Sequence, residues 1–164
     1  LTLVGNPSSP DCRYFARQIA PGLTEGVSSI GDVDHKRKVD LLSNARCLLF
    51  PIEWEEPFGL VMIEAMLVGT PVIAFACGAA SEVVEDGVTG FLVHSVDEMC
   101  RRIRDVGGID RKACRARAVQ RWSSARMARE YAALYLEVMD HWSVSRSRFS
   151  SAGRGGFLLS ANPR

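Results

Sequence analysis

The chain has 164 residues, 47% apolar and 24% charged, with a formal net charge of +1. A chain of this size and composition excludes a disordered polymer, a collagen-like repeat and a coiled coil, and no run of about 18 apolar residues offers a membrane span. Its five cysteines, Cys12, Cys47, Cys77, Cys100 and Cys114, are odd in number, widely spaced and free of any C-x-x-C pair. That spacing argues against a disulfide framework and a zinc site, and it favours a reducing, cytoplasmic compartment.

The chain opens on Leu1-Thr2-Leu3-Val4-Gly5, a buried-strand pattern already under way, which predicts a segment of a longer protein rather than a signal peptide. Further strands are predicted at Val27–Gly31, Cys47–Pro51, Pro71–Phe75 and Phe91–Val93, each flanked by Gly, Pro or Asp. Helical patterns lie between them near 11–20, 35–45, 58–68 and 79–85. Strand and helix alternating in short steps predict an α/β fold, a Rossmann-like doubly wound parallel sheet with helices on both faces. From residue 96 the pattern is helical, over 96–106, 110–121 and 123–142. In the last of these Tyr131, Leu134, Tyr135, Val138 and Trp142 form one apolar stripe, expected to face the core. An ordered domain over 1–142 is therefore expected, followed over 143–164 by a flexible basic tail rich in Ser, Gly and Arg.

Charge is unevenly divided: residues 1–100 hold 6 Lys/Arg against 14 Asp/Glu, or −8, and residues 101–164 hold 14 against 5, or +9. The basic third reads as solvated helix faces. No aromatic residues interleave with its arginines, so nucleic acid is not an expected partner. The same charge suits peripheral contact with the inner face of a membrane.

The most informative stretch is Pro51 to Gly69, PIEWEEPFGLVMIEAMLVG. A buried strand ends at Pro51, an acidic and aromatic loop follows, and a helix starts near Phe58 or Gly59 and stops at Gly69. In a doubly wound sheet the carboxyl ends of the strands open onto the ligand crevice, so this loop should face a ligand. Glu64 is the one charge on a helix apolar all round, and a buried carboxylate without partners costs several kcal/mol. A sugar diol would supply two O–H donors. Glu56, eight residues earlier, brackets the start of the helix with Glu64. Between them the amides of Phe58, Gly59 and Leu60 offer the positive end of the helix dipole to a diphosphate. A diol at one end, a diphosphate in the middle and a polyhydroxyl group beyond describe a nucleotide sugar. The plainer alternative is that Glu53, Glu55 and Glu56 decorate a helix N-terminus and Glu64 turns to solvent.

Glu56 and Glu64 with Pro57-Phe58-Gly59-Leu60 between them, followed by Ala65-Met66 and Gly69-Thr70-Pro71-Val72-Ile73-Ala74, closely resemble the E-x7-E segment of glycosyltransferase family 4, retaining enzymes of the GT-B fold. The resemblance extends through Gly78, Glu82 to Gly87 and Thr89 to Val93, and upstream through Leu3-Val4-Gly5, Ser29-Ile30-Gly31 and Leu48 to Pro51. It departs at Gly5-Asn6-Pro7-Ser8 and Gly78-Ala79, where the family commonly carries a second glycine.

The resemblance implies the donor-binding C-terminal half of a GT-B enzyme without its first strand, plus a helical C-terminal extension. The family's phosphate-binding Arg and Lys precede the matching stretch, as does the N-terminal acceptor domain, an expected partner. By the same resemblance Glu64 would bind ribose, Glu56 would be the catalytic-site residue orienting the donor sugar, and Phe58, Gly59 and Leu60 would bind the diphosphate. Gly31 to Val33 would lie near the base. The implied reaction transfers a hexosyl unit from a nucleoside diphosphate sugar to a hydroxyl acceptor, whether a sugar, a lipid-linked group or a small molecule. This chain alone is expected to be inactive. A non-catalytic nucleotide-sugar-binding module and a GT-B type epimerase are the alternatives.

No metal and no cofactor beyond the donor is expected. Asp32-Val33-Asp34 is formally a D-x-D metal signature, yet Asp34 before His35-Lys36-Arg37-Lys38 reads more simply as a helix N-cap. His35, His94 and His141 are scattered and read as surface histidines. A pyridoxal-dependent phosphorylase would need a pocket lysine, and Lys36, Lys38 and Lys112 have no such setting.

Overall fold

The structure is a computed structural model that describes residues 1–7 and 11–152, with side chains described as far as Trp142. All five predicted strands form. β1 (Thr2–Leu3) pairs in parallel with β2 (Ser28–Ser29), in the register Thr2↔Ser28 and Leu3↔Ser29. β3 (Leu48–Phe50), β4 (Val72–Phe75) and β5 (Gly90–Val93) form a second parallel sheet in that order, with Leu48 opposite Val72 and Val72 opposite Gly90. The expected single sheet is thus present as two blocks among the described residues.

Parallel neighbours need crossovers, and the helices supply them. α2 (His35–Asn44) leads from the first block into the second, while α3 (Leu60–Leu67) links β3 to β4 and α4 (Ala80–Val83) links β4 to β5. α5 (Val96–Asp105) and α6 (Arg111–Trp122) follow. Each start has a local cause. Asp34 caps α2 by accepting from the Arg37 amide at 2.7 Å, and Ser95 caps α5 through the Glu98 amide at 3.2 Å. The Glu98 carboxylate reaches back to the His94 amide at 2.9 Å, a close relative of the reciprocal capping box.

The core sits where α3 meets the second sheet. Met62, Ala65 and Met66 of α3 and Val72, Ile73 and Ala74 of β4 are fully buried, and Val83, Val93, Cys114 and Ala118 close around them. Each buried Met of α3 contributes about 1.5–3 kcal/mol by leaving water.

α6 also holds the C-terminal ends of α2 and α3. The Arg111 guanidinium donates to the carbonyls of Ser43 at 2.9 Å and Ala45 at 2.8 Å, at the end of α2, and to Thr70 Oγ1 at 2.7 Å. Thr70 itself donates to the Leu42 carbonyl at 2.6 Å, and Arg115 donates to the Leu67 carbonyl at the end of α3. Cations at helix C-termini satisfy orphan carbonyls and oppose the dipole.

Three expectations are corrected. The helix predicted near 11–20 is instead a short α1 (Cys12–Tyr14), a π turn (Phe15–Ile19) and a 3-10 turn (Ala20–Gly22), closed by Pro21, which lacks the amide a longer helix needs, and Gly22, a poor helix former. The last helix, α7 (Ser124–Ala152), runs ten residues past the predicted end at 142, because 143–152 contain neither Gly nor Pro. The remaining tail, 153–164, lies outside the described residues. The apolar stripe of α7 is not core: Tyr131, Leu134, Tyr135, Val138 and Trp142 are each at least half exposed. The chain forms two compact units, Leu1–Gln120 and Arg121–Arg164.

Candidate functional site

The Pro51–Gly69 segment adopts the predicted strand, loop and helix. Gly59 is the N-cap of α3 and takes a left-handed backbone (φ 70°, ψ 60°), which favours glycine. A side chain there would also press on Phe50 and Met62. Glu56 stands beside this cap. Its Oε1 accepts from the Gly59 amide at 3.2 Å and its Oε2 from the Trp54 indole at 3.1 Å. The carboxylate that sequence reasoning reserved for a ligand is therefore also bonded to the amide of the N-cap residue. Phe58 and Leu60 flank the cap and are exposed.

Glu64 lies one turn further along α3, flanked by buried Ile63 and Ala65, and keeps 30% of its side-chain surface. Its partner is Lys38 of α2, whose Nζ donates to Oε1 at 2.6 Å. The sequence requires a partner for this carboxylate and does not reveal which. Lys38 falls one turn after the Asp34 cap, and only the packing of α2 on α3 brings it to Glu64.

Gly31 and Val33 lie on the loop that leads from β2 into α2. Gly31 is left-handed (φ 68°), its carbonyl accepts from the Gly5 amide at 2.8 Å, and a Cβ there would meet Asn6 Oδ1 at 2.9 Å. Asp32 is committed locally: it accepts from the Asn6 amide at 3.1 Å and from Asn6 Nδ2 at 2.8 Å. With Asp34 acting as the helix cap, both acids of the D-x-D pattern serve loop geometry. Through α2 this loop is joined to Glu64 by Lys38; Glu56, Phe58, Gly59, Leu60 and Glu64 are brought together by α3 itself.

A second loop shapes the acidic one. Gly78, after β4, is left-handed (φ 52°), and a Cβ at that position would lie 2.6 Å from the Glu56 nitrogen and 2.7 Å from its carbonyl oxygen. Ala79 donates its amide to the Glu56 carbonyl at 2.9 Å, and the Cys77 thiol lies 3.3 Å from the Trp54 carbonyl. Sequence reasoning noted Gly78 without a role; a glycine just beyond the end of a buried strand was the available signal. The carboxyl ends of β4 and β5 open onto a hollow of about 300 Å³ lined by residues that include Glu53, Cys77 and His94. None of the predicted site residues lines it. No group of three or more potential metal ligands occurs among the described residues.

Comparison with known proteins places residues 1–106 within the family described as glycosyl transferases group 1. An uncharacterized 41.2 kDa protein in the cps region of Klebsiella pneumoniae is 36% identical over 117 residues, covering 68% of this chain and 32% of that protein. A phosphatidyl-myo-inositol mannosyltransferase of Mycobacterium leprae is 38% identical over 81 residues, covering 49% of this chain and 22% of the enzyme. Among solved structures, Anabaena HepE in complex with UDP superposes with a TM-score of 0.70 at 27% identity, covering 83% of this chain and 40% of that one. The matches thus span about a fifth to two fifths of these relatives' own lengths.

Proposed function

This chain belongs to the glycosyl transferases group 1 family and has the fold of the Rossmann-like C-terminal half of a GT-B enzyme, and on that premise we propose that it is the donor-binding half of a retaining, family 4 hexosyltransferase. The intact protein would move a hexosyl unit from a nucleoside diphosphate sugar to a hydroxyl acceptor, a sugar, a lipid-linked group or a small molecule. One observation carries this reading: two carboxylates, Glu56 and Glu64, bracket the start of α3, and the second keeps an open edge between the buried residues Ile63 and Ala65. The family relationship and the UDP complex of HepE support it.

Each residue then has a role. Glu64 accepts the ribose hydroxyls. Phe58, Gly59 and Leu60 border the diphosphate at the positive end of α3, where the Gly59 amide already donates to Glu56, and the growing negative charge as the glycosidic bond breaks is the main electrostatic demand of the reaction. Glu56 orients the donor sugar so that the anomeric carbon faces the acceptor. Gly31 and Val33 border the base. No metal or cofactor is required by this scheme, since helix amides and the family's basic pair would carry the charge.

The sheet supports a domain short of one strand. In the doubly wound order 3-2-1-4-5-6, β2 and β1 take the first two places and β3, β4 and β5 the last three, with strand 1 joining the blocks. The Glu56 loop, following β3, then borders the switch point where ligands bind. The unit is completed by an N-terminal acceptor domain, and this chain alone is expected to bind donor and transfer little. No helix among the described residues is long and apolar enough to cross a membrane. The basic C-terminal third suits peripheral contact with the membrane's inner face.

Calorimetric titration of the chain with UDP, GDP and ADP and their hexose conjugates tests the assignment. Glu64→Gln should weaken the bare diphosphate and the conjugate alike, by about 1–3 kcal/mol. Glu56→Gln should weaken the conjugate more than the bare nucleotide. Unchanged affinity in the first variant, or equal losses in the second, would remove the corresponding role.

A further inference from the structure

We propose that Lys38 is the positioning residue that makes the Glu64 site selective for a ribose over a 2′-deoxyribose, an inference that rests on the reading of Glu64 as the ribose ligand. Of the basic run Lys36-Arg37-Lys38 at the start of α2, only Lys38 is partly buried, and its ammonium meets Glu64 Oε1 at 2.6 Å. Stability gives a weak reason for the pair. Both side chains keep about a third of their surface, 34% and 30%, and ion pairs that open to water contribute only about 0–1 kcal/mol.

Geometry gives a stronger reason. Lys38 pins one carboxylate oxygen, and among the described residues no hydrogen bond reaches the other, Oε2. The carboxylate therefore offers a fixed acceptor edge to solvent. An ammonium has three donors and this one spends a single N–H on Glu64, which leaves donors beside that edge. A diol is the ligand that uses both: each hydroxyl donates its proton to the carboxylate and accepts from an ammonium in return. A sugar lacking the 2′-hydroxyl leaves one acceptor and one donor of the pair without a partner. Such unmatched polar groups are what a hydrogen-bonding site uses to reject an analogue.

The test is titration of the full chain with UDP, GDP and ADP and with their 2′-deoxy counterparts, following the ratio of ribo to deoxy affinity for whichever base binds. The wild-type chain should prefer the ribonucleotide by about tenfold or more, the loss expected for one charged hydrogen-bonding position. Lys38→Met and Lys38→Gln should bring the ratio close to one, Lys38→Arg should restore part of it, and Lys38→Met combined with Glu64→Gln should lose no more than either alone. The melting temperature without nucleotide reports whether each variant folds, and the Gln and Arg variants carry the test if the Met variant does not. If Lys38→Met and Lys38→Gln weaken both nucleotides equally and keep the ratio, Lys38 acts as scaffold and the proposal fails while Glu64 keeps its role. If Glu64→Gln itself leaves the ratio intact, the ribose reading falls, and the proposal with it.

Discussion

Glu56 is held from two sides, by the Gly59 amide and the Trp54 indole, so its position is set before any ligand arrives. Pre-positioning of this kind lowers the ordering cost of binding. Glu64 is set in the same way by Lys38. The two acids were legible in the sequence because an isolated charge on an apolar helix, and acids at its start, are local patterns. Lys38 was not, since its contact joins residues 26 apart and depends on how α2 packs against α3. Buried Cys114 offers a residue-level prediction. Burial pushes its thiol up to about 11, with Arg111 pulling more weakly the other way. The ordinary thiol value is about 8.5, so the unfolded chain releases this proton first. The contribution is intact below about pH 8.5 and is lost as pH rises toward 11, by roughly 3 kcal/mol at most. Unfolding titrations across that range should show the decline, and Cys114→Ala should flatten it. At pH 8 the exposed Cys12 and Cys100 should react with iodoacetamide in the native state while Cys114 stays unmodified in the mass spectrum.

At the level of elements, α2 and α3, which carry the candidate site, are tied down at their opposite ends. Thr70 links the Leu42 carbonyl to Arg111, and Arg111 covers the last carbonyls of α2. Thr70→Val should therefore cost about 1–3 kcal/mol, because the isosteric methyl removes one of the two donors to the Leu42 carbonyl, leaving only the Ala45 amide, and takes away the acceptor of the Arg111 guanidinium. Urea unfolding would measure it, and an unchanged midpoint would show that Arg111 alone suffices. The existence and order of the five strands, and of the helices from α2 to α6, were readable from periodicity and Gly/Pro punctuation. The strand ends were less so: pairing shortened Leu1–Gly5 and Val27–Gly31 to two residues each. The end of α7 was misplaced because a Ser- and Arg-rich composition resembles a linker, although nothing within 143–152 breaks a helix.

For the whole molecule, the division of the sheet means that stability is not shared equally. The β1–β2 block has two-residue strands beside exposed Leu1 and Val4, whereas Val72, Ile73 and Ala74 of β4 have no exposed surface. A two-stranded ribbon is marginal by itself, and local opening follows local burial. Hydrogen exchange should thus proceed at least about a hundredfold faster at the Ile30 amide, bonded to Leu3, than at the Val72 amide, bonded to Thr89. Comparable rates would show the two blocks opening together. That the sheet is split was not evident from the sequence, where five strands with alternating helices read as one continuous sheet.

Gly78 ties two of these scales together. Because its missing side chain lets the turn after β4 lie directly on the main chain of Glu56, with Ala79 bonded to the same residue, the two turns form a single mechanical piece. A push delivered to either one is passed to the other without an intervening side chain to absorb it. The acid that would meet the sugar thus rides on a strand it does not belong to.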